Sequence, residues 1–226
     1  MAFAKKALAA AVLTVAATSA SAALELVQTQ TGGYGYEATI WNHTLTFDLF
    51  NPANFDGRAL QRVELELSGE SATTFNFTPT NSAVREASGD FGAKIYADVS
   101  VTSGLIAINV NPTAKGATDR VEQNVKYDFG LLEGSDAKGT EHTDAATLAG
   151  FTGTDTFNVQ LEALASITFN AVGGNYVSEQ EARALGNFTV KYYVEELPPA
   201  ASVPAPASLA LFGLGLLAMS RKRKAA

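Results

Sequence analysis

The chain has 226 residues, 46% of them hydrophobic and 17% charged, with 16 Lys and Arg against 23 Asp and Glu and no cysteine. The missing thiols exclude a disulfide framework, a thiol nucleophile and a cysteine-bound metal. The net charge of −7 argues against nucleic acid or an anionic lipid surface as a partner.

Met1 to Ala22 has the layout of a secretory signal peptide. Lys5 and Lys6 form a basic start, Ala7 to Ala17 an apolar run, and Ala20-Ser21-Ala22 an A-x-A cleavage site. Cleavage there leaves a chain that begins at Ala23. The apolar run is too short to span a bilayer.

From Ala23 to Leu197 the chain is long enough for one domain with its own core. Apolar and polar residues alternate through it, the period of half-buried strands. Trp41, His43, Leu45, Phe47 and Leu49 share one parity. So do Val63, Leu65 and Leu67, with Glu64 and Glu66 opposite. Further segments follow at Phe75–Phe77, Ile95–Val101, Ile106–Val110, Val125–Phe129, Phe157–Leu161, Ile167–Phe169 and Phe188–Val194. That is about nine strands, each with one apolar and one polar face. The expected fold is an all-β, antiparallel β-sandwich. One helix is expected, at Ser178 to Leu185, where Ser178 and Glu181 form a capping box and Gly186 a stop. Glu133 to Asp155 reads as a solvated loop.

The chain closes on three parts. A Pro-rich joint, Val203-Pro204-Ala205-Pro206, leads into an apolar run from Ser208 to Met219. Arg221, Lys222, Arg223 and Lys224 follow directly. Starting near Pro206, the run makes a thin membrane-spanning helix, and the cations are a cytoplasmic stop. The two end segments hold six of the 16 cations and no acid, so the part between carries 10 cations against 23 anions, a net −13.

These closing residues resemble the PEP-CTERM protein-sorting signal of Gram-negative bacteria, with Ala205 standing where that motif has Glu. The resemblance implies processing by an exosortase-type membrane protease and transient anchoring in the inner membrane. It also implies a link to exopolysaccharide and biofilm matrix, and a final place at the cell surface or outside the cell.

A second resemblance spans residues 23–197. It rests on Thr46-Phe47-Asp48-Leu49-Phe50-Asn51-Pro52 through Leu67, on Phe151-Thr152-Gly153-Thr154-Asp155-Thr156-Phe157, and on Gly186 to Val194. Together these are similar to the choice-of-anchor E domain, a β-rich module that carries no catalytic residues across.

The residues give no catalytic centre of their own. His43 and His142 lie about a hundred positions apart; His43 reads as a core or rim histidine and His142 as an exposed one. Neither a nucleophile elbow nor a phosphate loop is present, and no cofactor is called for. Asp136, Glu141 and Asp144, in the expected loop, are the weak candidates for calcium. Tyr34, Tyr36 and Trp41 are the candidates for stacking on sugar rings, with Tyr34-Gly35-Tyr36 as a flexible pair and Trp41 more at home in a core. A non-enzymatic structural or adhesive role in a polysaccharide layer is the leading expectation. A lectin-like module, calcium-assisted or not, is the first rival. A glycan hydrolase is the second; it needs two carboxyls facing one cleft about 5 to 10 Å apart, and Glu64 and Glu66 read instead as a solvated face.

Overall fold

The computed structural model describes residues 23–81 and 86–197. The signal-peptide residues Met1 to Ala22, and the joint, apolar run and basic cluster after Leu197, lie outside the described residues. Among the described residues no helix is long and apolar enough to cross a membrane.

Nine strands form two antiparallel sheets. They are β1 (Leu24–Ala38), β2 (Trp41–Asp48), β3 (Leu60–Pro79), β4 (Ala87–Val101), β5 (Gly104–Val110), β6 (Thr113–Thr118), β7 (Tyr127–His142), β8 (Thr156–Ala171) and β9 (Tyr176–Glu195). Sheet A has the order β1-β9-β3-β7. Sheet B has the order β2-β8-β4-β5, with β6 also on β4. β5 and β6 share one register along the same partner: Ile95 faces Val110 and Gly92 faces Thr113. They are one strand interrupted at Asn111-Pro112, where Pro112 has no N–H for the ladder.

The sheets face each other across a common core, as expected of a β-sandwich. β3 buries Val63, Leu65 and Leu67 against Ile95, Ala97 and Val99 of β4; β9 adds Phe188, Val190, Tyr192 and Val194. A second, aromatic core closes the other end of the long strands, built on Phe75, Phe77 and Phe91 with Phe129 and Phe169 packed on it. Each of the three fully buried rings, Phe75, Phe77 and Phe91, is worth about 1.5–3 kcal/mol of burial.

The strand count agrees with the expected number because two errors cancel. Val63–Leu67 and Phe75–Phe77 are one strand, β3, and Phe157–Leu161 and Ile167–Phe169 are one strand, β8. Small residues that read as turns lie within these strands. Gly69 sits where a Cβ would come within 2.4 Å of Ile95 Cδ1, so any larger residue there must displace the Ile95 side chain of the opposing sheet. In exchange β1 and β6, polar and glycine-rich, do not read as strands in the sequence.

Ser178 to Leu185 is strand, not helix. It lies within β9 and pairs with β3 from Phe77–Ser178 to Glu70–Leu185. Ala182, Ala184 and Gly186 all face inward. A Cβ on Gly186 would sit 3.1–3.3 Å from Leu161, Ile95 and Trp41, which is why the face is small rather than apolar in the usual sense. Long-range pairing here overrides a local helix preference.

Glu133 to Asp155 is not one loop. Its first part completes the edge strand β7; Asp144 then caps a short helix, α1 (Ala145–Gly150), by accepting the Thr147 N–H at 2.9 Å. β7 escapes the apolar alternation because Asp136 and Lys138 occupy inward positions on the edge of the sheet. Inward charges blunt such an edge against pairing with other chains.

Candidate functional site

The outward face of sheet A gathers most of the residues with chemistry to offer. On β3 the outward series is Arg62, Glu64, Glu66, Ser68, Glu70, Ala72 and Thr74, because the odd-numbered residues between them are buried. From Glu64 to Thr74 each has one partner on β9 and one on β7, and Arg62 has Tyr193 on β9.

At the Arg62 end these side chains satisfy one another. Lys191 Nζ donates to Glu66 at 2.6 Å and lies 3.8 Å from Glu64. The Tyr193 hydroxyl donates to Glu64 at 2.6 Å, and the Arg62 guanidinium lies over the Tyr193 ring at 3.9 Å. The hydrogen bond from Tyr193 holds the Glu64 carboxyl below its ordinary value, with Lys191 adding to it. The bond to Glu66 holds Lys191 above its own. Glu64 and Glu66 therefore belong to a closed ion-pair network, more constrained than the plain solvated face the sequence suggests.

The middle of the face is small. Gly33, Asn187, Ser68 and Ala137 form one row straight across the four strands. Two shallow depressions of about 430 and 290 Å³ share Ser68 and Ala137 and extend to Glu70 on one side and to Glu66 and Thr189 on the other. Beyond Glu70, a third depression of about 460 Å³ is bordered by Tyr36, Thr74, Leu131, Glu133, Glu181 and Arg183. The three follow one another along β3 from Thr74 to Glu66, roughly 26 Å at 3.3 Å per residue. The two at Ser68 adjoin, and the Tyr36–Glu70 hydrogen bond stands between them and the third; we refer to this line of depressions as the trough.

Tyr36 reaches this face through a β-bulge. β1 has one extra residue against β9 between Tyr34–Gly186 and Glu37–Ala184. A bulge re-aims the side chains that follow it. Tyr34 therefore packs on the main core and stacks on His43 at 3.7 Å between centroids. Tyr36 turns outward, 44% exposed, and its hydroxyl donates to Glu70 at 2.9 Å. Partial burial and this bond hold its phenol above the ordinary value. The two tyrosines are not a flexible pair: they are fixed in a strand and point to opposite faces.

Trp41 is 6% exposed, and its indole N–H donates to the Ala184 carbonyl at 3.2 Å. Its ring fills the core and is not offered to a sugar. His43 is a rim residue, held by Tyr34 and by Glu37 at 3.0 Å. His142 is half-buried rather than exposed, 3.2 Å from the Thr140 hydroxyl.

The three calcium candidates do not converge. Asp136 accepts the Asn111 N–H at 2.8 Å and seals the break between β5 and β6. Glu141 lies 3.6 Å from Arg62. Asp144 caps α1, and that bond lowers its carboxyl below the usual range. Among the described residues no three His, Asp or Glu side chains gather closely enough to hold a metal ion.

The trough is not legible in the sequence: many of its lining residues are Ser, Ala, Gly and Thr, which carry no signal, and its span depends on pairing between distant strands. The alternation on β3, which puts Glu66, Ser68, Glu70 and Ala72 on one face, was the available clue.

Residues 202–224 match the PEP-CTERM protein-sorting motif. No curated protein matches the chain. Among solved structures, the chain is similar to the infectious bursal disease virus Gx strain, at 11% identity over 75% of this chain and 38% of that one, with a TM-score of 0.22. The VP2 subviral particle of infectious bursal disease virus is similar at 12% identity over 87% of this chain and 50% of that one, with a TM-score of 0.21. Desmodium yellow mottle tymovirus is similar at 10% identity over 89% and 98%, with a TM-score of 0.19. The chain spans half or less of the two bursal-virus chains, and likenesses at these scores carry no functional argument.

Proposed function

We propose that the chain is an exported protein sorted by an exosortase-type protease to the cell surface or matrix. Its role there is structural or adhesive, within an exopolysaccharide-associated layer, and involves no catalysis. The observation that carries this reading is the sorting motif at residues 202–224. It follows the all-β unit of residues 23–197, whose resemblance to the choice-of-anchor E domain is part of this proposal. The A-x-A site ahead of Ala23 supports export.

The layout of the ends supports the same reading. Glu196 N–H donates to the Ala23 carbonyl at 2.8 Å, and Leu24 pairs with Glu195. The start of the mature chain and the exit toward the tail therefore lie side by side at one end of sheet A. The aromatic core lies at the other end of β9, a 20-residue strand about 60 Å long.

The test is deletion of residues 202–226 in the native cells. The intact chain should be found at the surface or in the medium and the truncated chain in the periplasm. The same distribution for both contradicts the reading.

A carbohydrate-binding role is favoured by one observation, the exposed Tyr36 ring beside the trough on sheet A. Burial of Trp41 removes it as a stacking residue in that role.

A further inference from the structure

We propose that the trough on the outer face of sheet A is a binding track for a linear polysaccharide that carries free amino groups. The inference rests on the reading above, that the exported chain works among polysaccharides, and names the site and the chemistry.

The trough lies over the face of β9 and β3, the two central strands. Each is paired on both sides, so the backbone N–H and C=O groups beneath the trough are taken by the ladders. An extended peptide that adds to a sheet does so at an edge, through such groups. A ligand on this face must be read by side chains alone. The neutral polar groups offered along it are hydroxyls and an amide, Thr74, Ser68, Asn187 and Thr189, with Lys138 and Glu66 bordering its far end. They match a chain rich in hydroxyl groups.

The Tyr36 end supplies the anchor and the charge. The ring is tethered at its hydroxyl by Glu70, so it is held in one orientation without a ligand. Leu131, 61% exposed, extends the apolar platform. Glu70, Glu133 and Glu181 stand there against one cation, Arg183, which is itself bound to Glu181 at 2.8 Å. Glu133 accepts no hydrogen bond and forms no ion pair among the described residues, and it borders the same depression as Tyr36. An aromatic face beside an unpaired carboxylate suits an ammonium group. A uronate chain meets repulsion instead, from the trough and from the net −13 of the domain.

The experiment is calorimetric titration of the full chain in detergent with three oligosaccharides: chitosan, its fully N-acetylated counterpart, and alginate. Chitosan should bind, the acetylated chain more weakly, and alginate not at all. Tyr36→Ala should weaken chitosan binding on the order of tenfold, equivalent to about 1.4 kcal/mol. Glu133→Gln should weaken chitosan but leave the acetylated chain unchanged. Ser68→Trp should fill the track and abolish binding. All three positions are exposed, and thermal melts check that each variant stays folded. Absence of chitosan binding overturns the proposal. So does binding that Tyr36→Ala and Ser68→Trp leave intact, equal binding of the acetylated chain or of alginate, or equal competition by polylysine. Because the titration is done on purified chain, it can fail while the sorting reading stands, and the reverse.

Discussion

The hydroxyl of Ser71, on β3 of sheet A, donates to the carbonyl of Pro112, in the break of sheet B, at 2.7 Å. Both sheets are joined here by a polar contact inside the sandwich, and Ser71 is fully buried. The Pro112 carbonyl also accepts the Ala93 N–H at 3.1 Å. Ser71→Ala therefore leaves the carbonyl with one partner, and the expected loss is about 1 kcal/mol, the middle of the range for a single hydrogen bond. Urea unfolding of wild type and variant measures it, as a lower midpoint with the slope unchanged.

Gly92 lies beside the same break. A Cβ at Gly92 would fall 2.1 Å from the Pro112 oxygen and 2.8 Å from Thr113 Cα, both backbone atoms that cannot swing away. Gly92→Ala should cost about 3 kcal/mol or more, or leave no soluble chain. At Gly139, on β7, the nearest atoms to a Cβ are 3.7 Å away, so Gly139→Ala should stay within about 0.5 kcal/mol of wild type. Thermal melts of the two alanine variants separate backbone crowding from a general intolerance of glycine replacement.

The Glu64–Lys191–Tyr193 network makes stability depend on pH at both extremes. Glu64 titrates below its ordinary value near 4.5. Its contribution is complete above that value and is lost as pH falls through the folded-state value. Lys191 titrates above its ordinary 10.5 and Tyr193 above 10.0. Their contributions are complete below those values and are lost as pH rises through the folded-state ones. Denaturant midpoints against pH should show Glu64→Gln flattening the acid limb and Lys191→Met the alkaline limb. An acid limb unchanged by Glu64→Gln would show that the Tyr193 bond does not hold the carboxylate in solution.

Asp136 guards an edge. Its carboxylate accepts the Asn111 N–H across the seam between β7 and β5, and its charge sits at an inward position of the outermost strand of sheet A. Asp136→Val frees that N–H and turns the strand into a better template for another chain. Light scattering on concentrated samples should rise for Asp136→Val and stay near wild type for Asp136→Asn, which keeps an acceptor.

The shared parity of Leu45 with Phe47, of Val63 with Leu65, and of Phe188 with Val190 made the sandwich legible, because one wet and one dry face impose a period of two. What stayed hidden was held by the opposing sheet. Ala182, Ala184 and Gly186 face inward, Gly186 directly under Leu161, Ile95 and Trp41, and that crowding accounts for a small residue where local chemistry spells a helix. Asp136 and Lys138 break the alternation of β7 because an edge needs charge. The two candidates Tyr34 and Tyr36 were legible as aromatics near the start of the mature chain. Their separation to opposite faces turns on one extra residue against β9, which no local pattern announces. Trp41 was legible in both roles, and the Ala184 carbonyl decides for the core.

Intact mass of the native protein, taken from fractionated cells, is the sharpest test of the proposal that the chain is exported, cut at its tail and released from the inner membrane. The predicted species begins near Ala23, ends near the joint at Val203 to Pro206, and is found outside the inner membrane. A species that keeps Arg221 to Lys224 and remains in the inner membrane contradicts it: the tail would then be an anchor, and the assignment to a matrix would fall with it.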